Sequence, residues 1–480
     1  VSVITTGADL TQRQRAHYKE AEMKTSSCCL LTVLLLCSTL AGETAESPAL
    51  EVGLAARDVT PELPIRLAGY AGRKRAADKL DLRLYARAMA LRNPSGERFV
   101  FVAVDNCEVS HAFMQPVLQQ LADTLHLGRG AVAVVSSHTH SAPALSQALV
   151  GMPGGSPEEQ ETTAKYSRFL QGKLVEVVGA ALEDLKPALL EYGSGRASFA
   201  VNRRVYRGDK MDFGENLDGP VDWEVPVLRV KGTDGATRAI VVGYACHGTS
   251  VQSGDDWYTV SGDYMGYACQ LLEAHQPGAA ALYLTGMGGD SNPCPHGQLL
   301  EAKRHGLELA GAVVGVLDRP MRQVRGGFKL AYDEVDLPLA EPPTREQLEK
   351  DSRSQDFGVK QRAEQYLKCL DAGQPLPHSV KLPVAALRLG DDLTFVLMGG
   401  EVVVDYSRRL KRLLAQDHPW MVGYAYEVPS YIPSVRVLKE GGYEAESSLI
   451  YYGFYGPYRT SIEDLLVNRA TALVAGLRGR

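Results

Sequence analysis

From residue 50 onward, short apolar runs that stop at polar or glycine-rich turns alternate with longer stretches of helical apolar spacing. Residues 52–61 read as a strand and turn, and 99–104 as a buried strand ending at Asp105, Asn106 and Cys107. Helical spacing over 112–125 leads into a second buried strand, 131–135, which halts at Ser136 and Ser137. A long amphipathic helix over 166–185 is closed by Lys186 and Pro187. Residues 227–231 and 239–244, joined across Gly232 to Gly235, form a hairpin pattern with Pro226 opening its first strand. An apolar strand at 281–284 precedes a helix over 301–317. The charged, helical stretch 344–370 reads as a surface excursion. A second hairpin pairs 382–389 with 393–398 and ends in Gly399-Gly400-Glu401, with a helix starting at Val402. The last helix covers 461–477. Strands and helices alternate, with hairpins mixed in, and no internal repeat appears. The pattern predicts an α/β fold in which a mixed sheet, or two packed sheets, is covered by helices in one domain over 50–480.

Composition narrows the function classes without choosing one. The 480 residues are 45% apolar and 22% charged, an ordinary globular balance. The net charge of −6, with no basic block or aromatic-basic stripe, argues against nucleic acid as a partner. The N-terminus reads as an address. Met23 and Lys24 precede an apolar core over 28–37, and small residues follow at Thr39 and Ala41. That order predicts a secretory signal over 23–41, cut after Ala41, with 1–22 an over-extended start and a polar linker before the fold. The alternative is a true N-terminal arm ahead of a buried helix. The apolar core is too short to span a membrane, which takes about 20 residues. Past the signal remain Cys107, Cys246, Cys269, Cys294 and Cys369, an odd set without CxxC spacing. A disulfide framework is therefore not expected, although a single bond is compatible with export.

The chemistry gathers at strand ends. The strand 131–135 runs into Ser136-Ser137-His138-Thr139-His140-Ser141-Ala142-Pro143, where extended backbone would put both imidazoles on one side. Other apolar strands end in Asp105, His247, Asp290 and Glu401. Histidines plus a carboxylate on separate strand ends are the donor set of a catalytic zinc site, in which the metal activates a water. Each residue also has a plainer explanation. His247 alone suits a hydrogen-bonded core histidine, Glu401 a dipole-favoured helix start and Asp290 a turn. The glycine pairs before Asp290 and Glu401 permit close backbone approach. The remaining histidines carry no assigned role.

Together these residues resemble the neutral/alkaline non-lysosomal ceramidase family of secreted or membrane-exposed zinc amidases, over roughly residues 50–460. The carrying motifs begin with Ser137 to Pro143, Asn202-Arg203, His247-Gly248-Thr249-Ser250 and Ser261 to Ala268. They continue with Gly289-Asp290, Gly400-Glu401, Tyr431-Ile432-Pro433-Ser434 and Glu440 to Glu444. The resemblance implies one zinc ion per chain held by His138, His247, Glu401 and the phenol of Tyr431. It implies that His140 faces the substrate carbonyl, with Tyr443 helping it stabilise the oxyanion and Arg203 holding polar substrate groups. It also implies a lipid amide as substrate and leaves room for peripheral membrane contact.

Two departures stand out. Where the family carries Gly-Asp-x-Ser-Pro, the chain reads Gly289-Asp290-Ser291-Asn292-Pro293. Asn292 can position substrate or water but cannot act as a nucleophile. The β-sandwich domain that follows the family's catalytic domain has no counterpart before Arg480. The expectation is an exported, zinc-dependent amidohydrolase that cleaves an N-acyl amide, ceramide or a related lipid, through metal-activated water. Two rivals remain open: a hydrolase of the same fold acting on a glycan or cell-wall amide or an ester, and a non-catalytic binding domain.

Overall fold

The computed structural model describes residues 50–478 except Pro153. The signal-like segment 23–41 and its upstream stretch therefore lie outside the described residues. A nine-stranded mixed sheet forms the centre. Along its path lie Ala280–Thr285, Thr237–Tyr244, Glu224–Gly232, Lys186–Arg196, Glu51–Asp58, Tyr85–Arg92, Arg98–Val104 and Val132–Ser136, with Arg322–Val324 attached to Lys186–Arg196. Only the outermost pair at each end is parallel; the interior of the path is antiparallel. A second, four-stranded sheet orders Phe328–Pro338, Ser379–Leu389, Leu393–Met398 and Pro419–Val422.

The alternation of side chains explains the layering. Phe99, Phe101, Ala133 and Val135 point from the large sheet toward Leu387, Phe395 and Leu397 of the second sheet. Their neighbours Val100, Val102, Val132 and Val134 point the other way, under the helices His111–Leu125 and Pro157–Glu183. Asp263–His275 and Leu299–Leu317 cover the same face further along, over Ile240, Val242 and Tyr283. Val404–Leu413 and Ile462–Leu477 cover the outer face of the second sheet, over Val384, Ala386 and Val396. Strands apolar on both faces are what two packed sheets under helices require. The result is the α/β arrangement of two sheets layered with helices that the pattern predicts.

Three local expectations are corrected, and the helical stretch 344–370 is resolved into its elements. The chain does not enter a helix at Val402: Glu401–Val402 is a two-residue strand, and the helix starts at Val404. Pro226 does not open its strand but sits third in Glu224–Gly232, beyond the last residue paired with Thr237–Tyr244, where its missing N–H costs no ladder bond on that side. The stretch 344–370 is two helices, Arg345–Asp351 and Phe357–Asp371, each started by a side-chain cap, Thr344 and Asp356. His138 is not extended; its φ is +61°.

Candidate metal centre

The two ends of the large sheet are brought together where their strands finish. The Thr285 hydroxyl donates to the Ser136 carbonyl at 2.6 Å. The segment after Pro419–Val422 runs between the same edges: Gly423 donates to Thr285, and Tyr426 donates to Val134. The strand ends continue side by side. His140 N–H bonds the Gly248 carbonyl, His247 N–H bonds Ser291, and Gly289 N–H bonds Val402. Glu401–Val402 pairs in parallel with Tyr431–Ile432, which puts Glu401 directly beside Tyr431. Four segments distant in sequence thus deliver their side chains to one point.

At that point, the His138 and His247 Nε2 atoms each lie 3.1 Å from the same Glu401 oxygen, Oε2. The Tyr431 hydroxyl is 3.0 Å from His247 Nε2. All four residues are buried. His138 Nδ1 is tied to the Cys107 carbonyl at 2.8 Å and His247 Nδ1 to the Gly288 carbonyl at 3.1 Å. A carbonyl only accepts, so each neutral imidazole carries its proton on Nδ1 and presents a bare Nε2. Two lone pairs and a carboxylate oxygen then face one another without a proton to share. A cation satisfies that set, and the donors present fit the zinc the resemblance implies. Burial, followed by the Arg203 charge, pushes His247 down to about 4, which keeps it neutral. Cys107 also lies near His138 and His140. Burial pushes its thiol well up, so the Glu401 set is the one that supplies an anionic ligand.

Around these donors the structure adds residues that the sequence pattern does not single out. The Tyr452 hydroxyl donates to Glu401 Oε1, and the Tyr424 hydroxyl reaches Oε2 at 3.4 Å, so both carboxylate oxygens are held. Tyr452 also lies 3.4 Å from the buried Glu108 carboxyl. Tyr452 does not fall at a strand end, the signal that exposes the histidines, and Tyr424 follows Pro419–Val422, a strand that the apolar pattern does not single out.

The predicted substrate-facing residues line one cavity of about 810 Å³, which contains His140, Arg203, Asn292, Tyr431 and Tyr443. The His140 Nε2 lies 3.2 Å from His138 Nε2, and its Nδ1 is buried without a partner. Burial, then the two neighbouring imidazoles, pushes His140 well down. Arg203 donates to Tyr431 at 2.9 Å, to Glu444 at 2.7 Å and to the Asn292 side-chain oxygen at 3.2 Å. Tyr443 stands edge-on to Tyr431, with ring centroids 5.4 Å apart. Ser291 is fully buried and is not part of the cavity wall, whereas Cys294 is part of it. Desolvation, then Glu215, raises the Cys294 thiol, so nothing activates it.

Two carboxylates of the strand-end set belong elsewhere. Asp105 accepts from Tyr85 N–H and Arg87. Asp290 accepts from Val404 N–H at 2.8 Å and from Asn202 at 3.0 Å, so it caps the helix that follows Glu401. Among the described residues, Cys107, Cys246, Cys269, Cys294 and Cys369 are free thiols.

A two-sheet α/β fold with a buried His–His–Glu–Tyr cluster at its strand ends defines the class. Comparison with known proteins defines the family. The N-terminal pattern of the neutral/alkaline non-lysosomal ceramidases matches residues 50–288. Neutral ceramidase A of Dictyostelium discoideum is 27% identical over 246 residues, 49% of this chain and 33% of that protein. The neutral ceramidase of Oryza sativa subsp. japonica is 27% identical over 251 residues, 51% of this chain and 31% of that one. The crystal structure of neutral ceramidase from Pseudomonas aeruginosa superposes with a TM-score of 0.67 at 21% identity, covering 90% of this chain and 75% of that chain. This last likeness shows the shared fold. The chain belongs to the neutral/alkaline non-lysosomal ceramidase family, and the matched stretch spans about a third of the length of these curated relatives.

Proposed function

We propose that the domain over 50–480 is an exported, zinc-dependent hydrolase of linear N-acyl amides, with ceramide or a related lipid amide as substrate. The observation that carries this is the meeting of His138, His247 and Glu401 within 3.1 Å, with both Nδ1 atoms tied to carbonyls. His138, His247, Glu401 and Tyr431 would hold one zinc ion. When bound there, zinc supplies a lowered pKa for a water and polarisation of the amide carbonyl. His140 and Tyr443 flank the place where carbonyl charge develops, and His140 is kept neutral enough to share a proton with that oxygen. Arg203 keeps Tyr431 oriented and holds Asn292, whose amide can donate and accept hydrogen bonds to the substrate.

Family membership supports an amide hydrolase over a pure binding domain. So does the full donor set, because a binding domain has no need of all four ligands. Export rests on the signal-like segment 23–41; among the described residues no helix is long and apolar enough to cross a membrane. The test is turnover of purified protein on a panel of ceramide, N-acyl amino acid and N-acyl amino sugar substrates, with and without chelator. Chelator-sensitive release of fatty acid from any lipid amide supports the proposal. Cleavage that survives removal of all metal refutes the zinc role, and no cleavage of any amide by zinc-loaded protein refutes the hydrolase.

A further inference from the structure

Arg73 is a buried cation without a counter-ion. It is 3% exposed, and no carboxylate pairs with it among the described residues. Its guanidinium instead donates to three backbone carbonyls on three different segments: Ala68 at 2.6 Å, His140 at 2.7 Å and Trp257 at 2.8 Å. Its Cζ lies 4.8 Å from the Tyr70 ring centroid and 5.6 Å from that of Trp257. The remaining nitrogen, Nη2, is buried without a partner. Burying a guanidinium against carbonyl dipoles and ring faces alone is costly. A neutral side chain would avoid that cost, so the charge has to be explained by what it holds together.

What it holds is one wall of the 810 Å³ cavity, made by Gly69, Tyr70, Gly72, His140 and Trp257. The His140 ring is clamped between those elements. A Cβ on Gly69 would stand 2.3 Å from the ring, and Tyr70 meets it edge-on at 4.6 Å. Arg73 touches none of His138, His247, Glu401 and Tyr431 by hydrogen bond. It therefore acts on the substrate face of the site and leaves the metal face alone.

We infer that Arg73 is the positioning residue of this site: its guanidinium fork ties the His140 carbonyl to the Ala68 and Trp257 segments and so fixes the His140 ring and the Tyr70–Trp257 wall at the substrate. The catalytic half of this inference rests on the amide-hydrolase proposal; the structural half does not. Lysine keeps the charge and three donors but places them on one nitrogen, which cannot occupy both the Nε and Nη1 positions, so it separates charge from geometry.

The test compares wild type with R73A, R73Q and R73K. Bound zinc, circular dichroism and kcat and KM on the lipid amide of the panel that the wild type cleaves fastest are measured for each. The expected result is unchanged zinc content, a kcat about 100-fold lower in R73A and R73Q, and only partial recovery in R73K. Millimolar ethylguanidinium should restore R73A, and ethylammonium should not. Wild-type kcat in R73A or R73K overturns the inference, and so does loss of zinc in folded R73A. If R73A does not fold, R73Q and R73K decide by the same criteria. A wild type that cleaves no amide would sink the hydrolase proposal instead. Acrylamide quenching of Trp257, taken as the difference from Trp257→Phe, then decides the structural half. Greater quenching in R73Q supports the clamp, and unchanged quenching in a folded R73Q overturns it.

Discussion

At the scale of single residues, the two histidines of the His-x-His motif should separate cleanly. His138→Ala or His247→Ala removes a bare Nε2 from the donor set and should strip most of the zinc. His140→Ala leaves the donors in place and should keep about one equivalent while losing turnover. Metal analysis of the purified variants checks this, and loss of zinc from His140→Ala would exchange the two roles. The pH at which metal leaves follows from the same geometry. A proton competes with zinc for His247 Nε2, and the ordinary imidazole would begin to win near pH 6.5. With His247 held down to about 4, that competition starts some two units lower. Zinc should therefore stay bound on dialysis to about pH 5 and leave toward pH 4, with circular dichroism confirming that the fold persists. Release already complete at pH 6 would contradict the neutral His247. Asn292 carries the third prediction. Its amide cannot form an acyl-enzyme, Ser291 is buried off the cavity, and the Cys294 thiol is raised. Single-turnover mass spectrometry should find no acyl adduct, and little or no cleavage of ordinary ceramide. An adduct on Ser291 or Cys294 would overturn the water mechanism, and efficient ceramide cleavage would show that Asn292 weighs less than argued.

At the scale of elements, the sequence exposes strands more readily than the turns that aim them. The 131–135 strand and the two hairpins are legible because their apolar runs are bounded by serine, glycine or aspartate. The placement of Glu401 is not. A Gly-Gly-Glu followed by helical spacing looks like a helix start, yet its true partner, Tyr431-Ile432, lies thirty residues on. No local pattern encodes a two-residue parallel ladder. The same holds for His138, whose φ of +61° is imposed by what surrounds it and not by its own preference. The glycine pairs before Asp290 and Glu401 are the exceptions, since close approach does explain them: a Cβ on Gly289 would stand 2.6 Å from the Glu401 carbonyl oxygen, and one on Gly399 2.8 Å from that of Glu427. Gly289→Ala should therefore push the Glu401 strand away and weaken zinc binding about tenfold or more. Competition with a fluorescent chelator reads this directly, and unchanged affinity would mean that the strand yields without moving its carboxylate.

At the scale of the whole molecule, alternation along each strand already implies two sheets under helices, but nothing local implies that the ends of one sheet meet. That closure is made by single contacts: the Thr285 hydroxyl on the Ser136 carbonyl at 2.6 Å and the strap from Gly423 to Tyr426 across both edges. His138 lies two residues beyond Ser136. His247 follows the strand whose last residue, Tyr244, pairs with Thr285. The hydroxyl bond therefore joins the strand that leads to His138 to the neighbour of the strand that leads to His247. Thr285→Val keeps the shape and removes the donor, leaving the Ser136 carbonyl buried without it at a cost of about 1–3 kcal/mol. If the closure only stabilised the fold, the variant would unfold at lower denaturant and bind zinc as before. If it also sets the spacing between His138 and His247, zinc affinity should fall along with the unfolding midpoint, and Thr285→Ser should restore both. We expect the coupled result, because backbone bonds from Ser136 to Tyr424, Ser137 to Val104 and His140 to Gly248 leave the segment that carries His138 little room to relax. Unfolding curves and chelator competition on the two variants decide it. Zinc affinity unchanged in a destabilised Thr285→Val would confine the closure to stability.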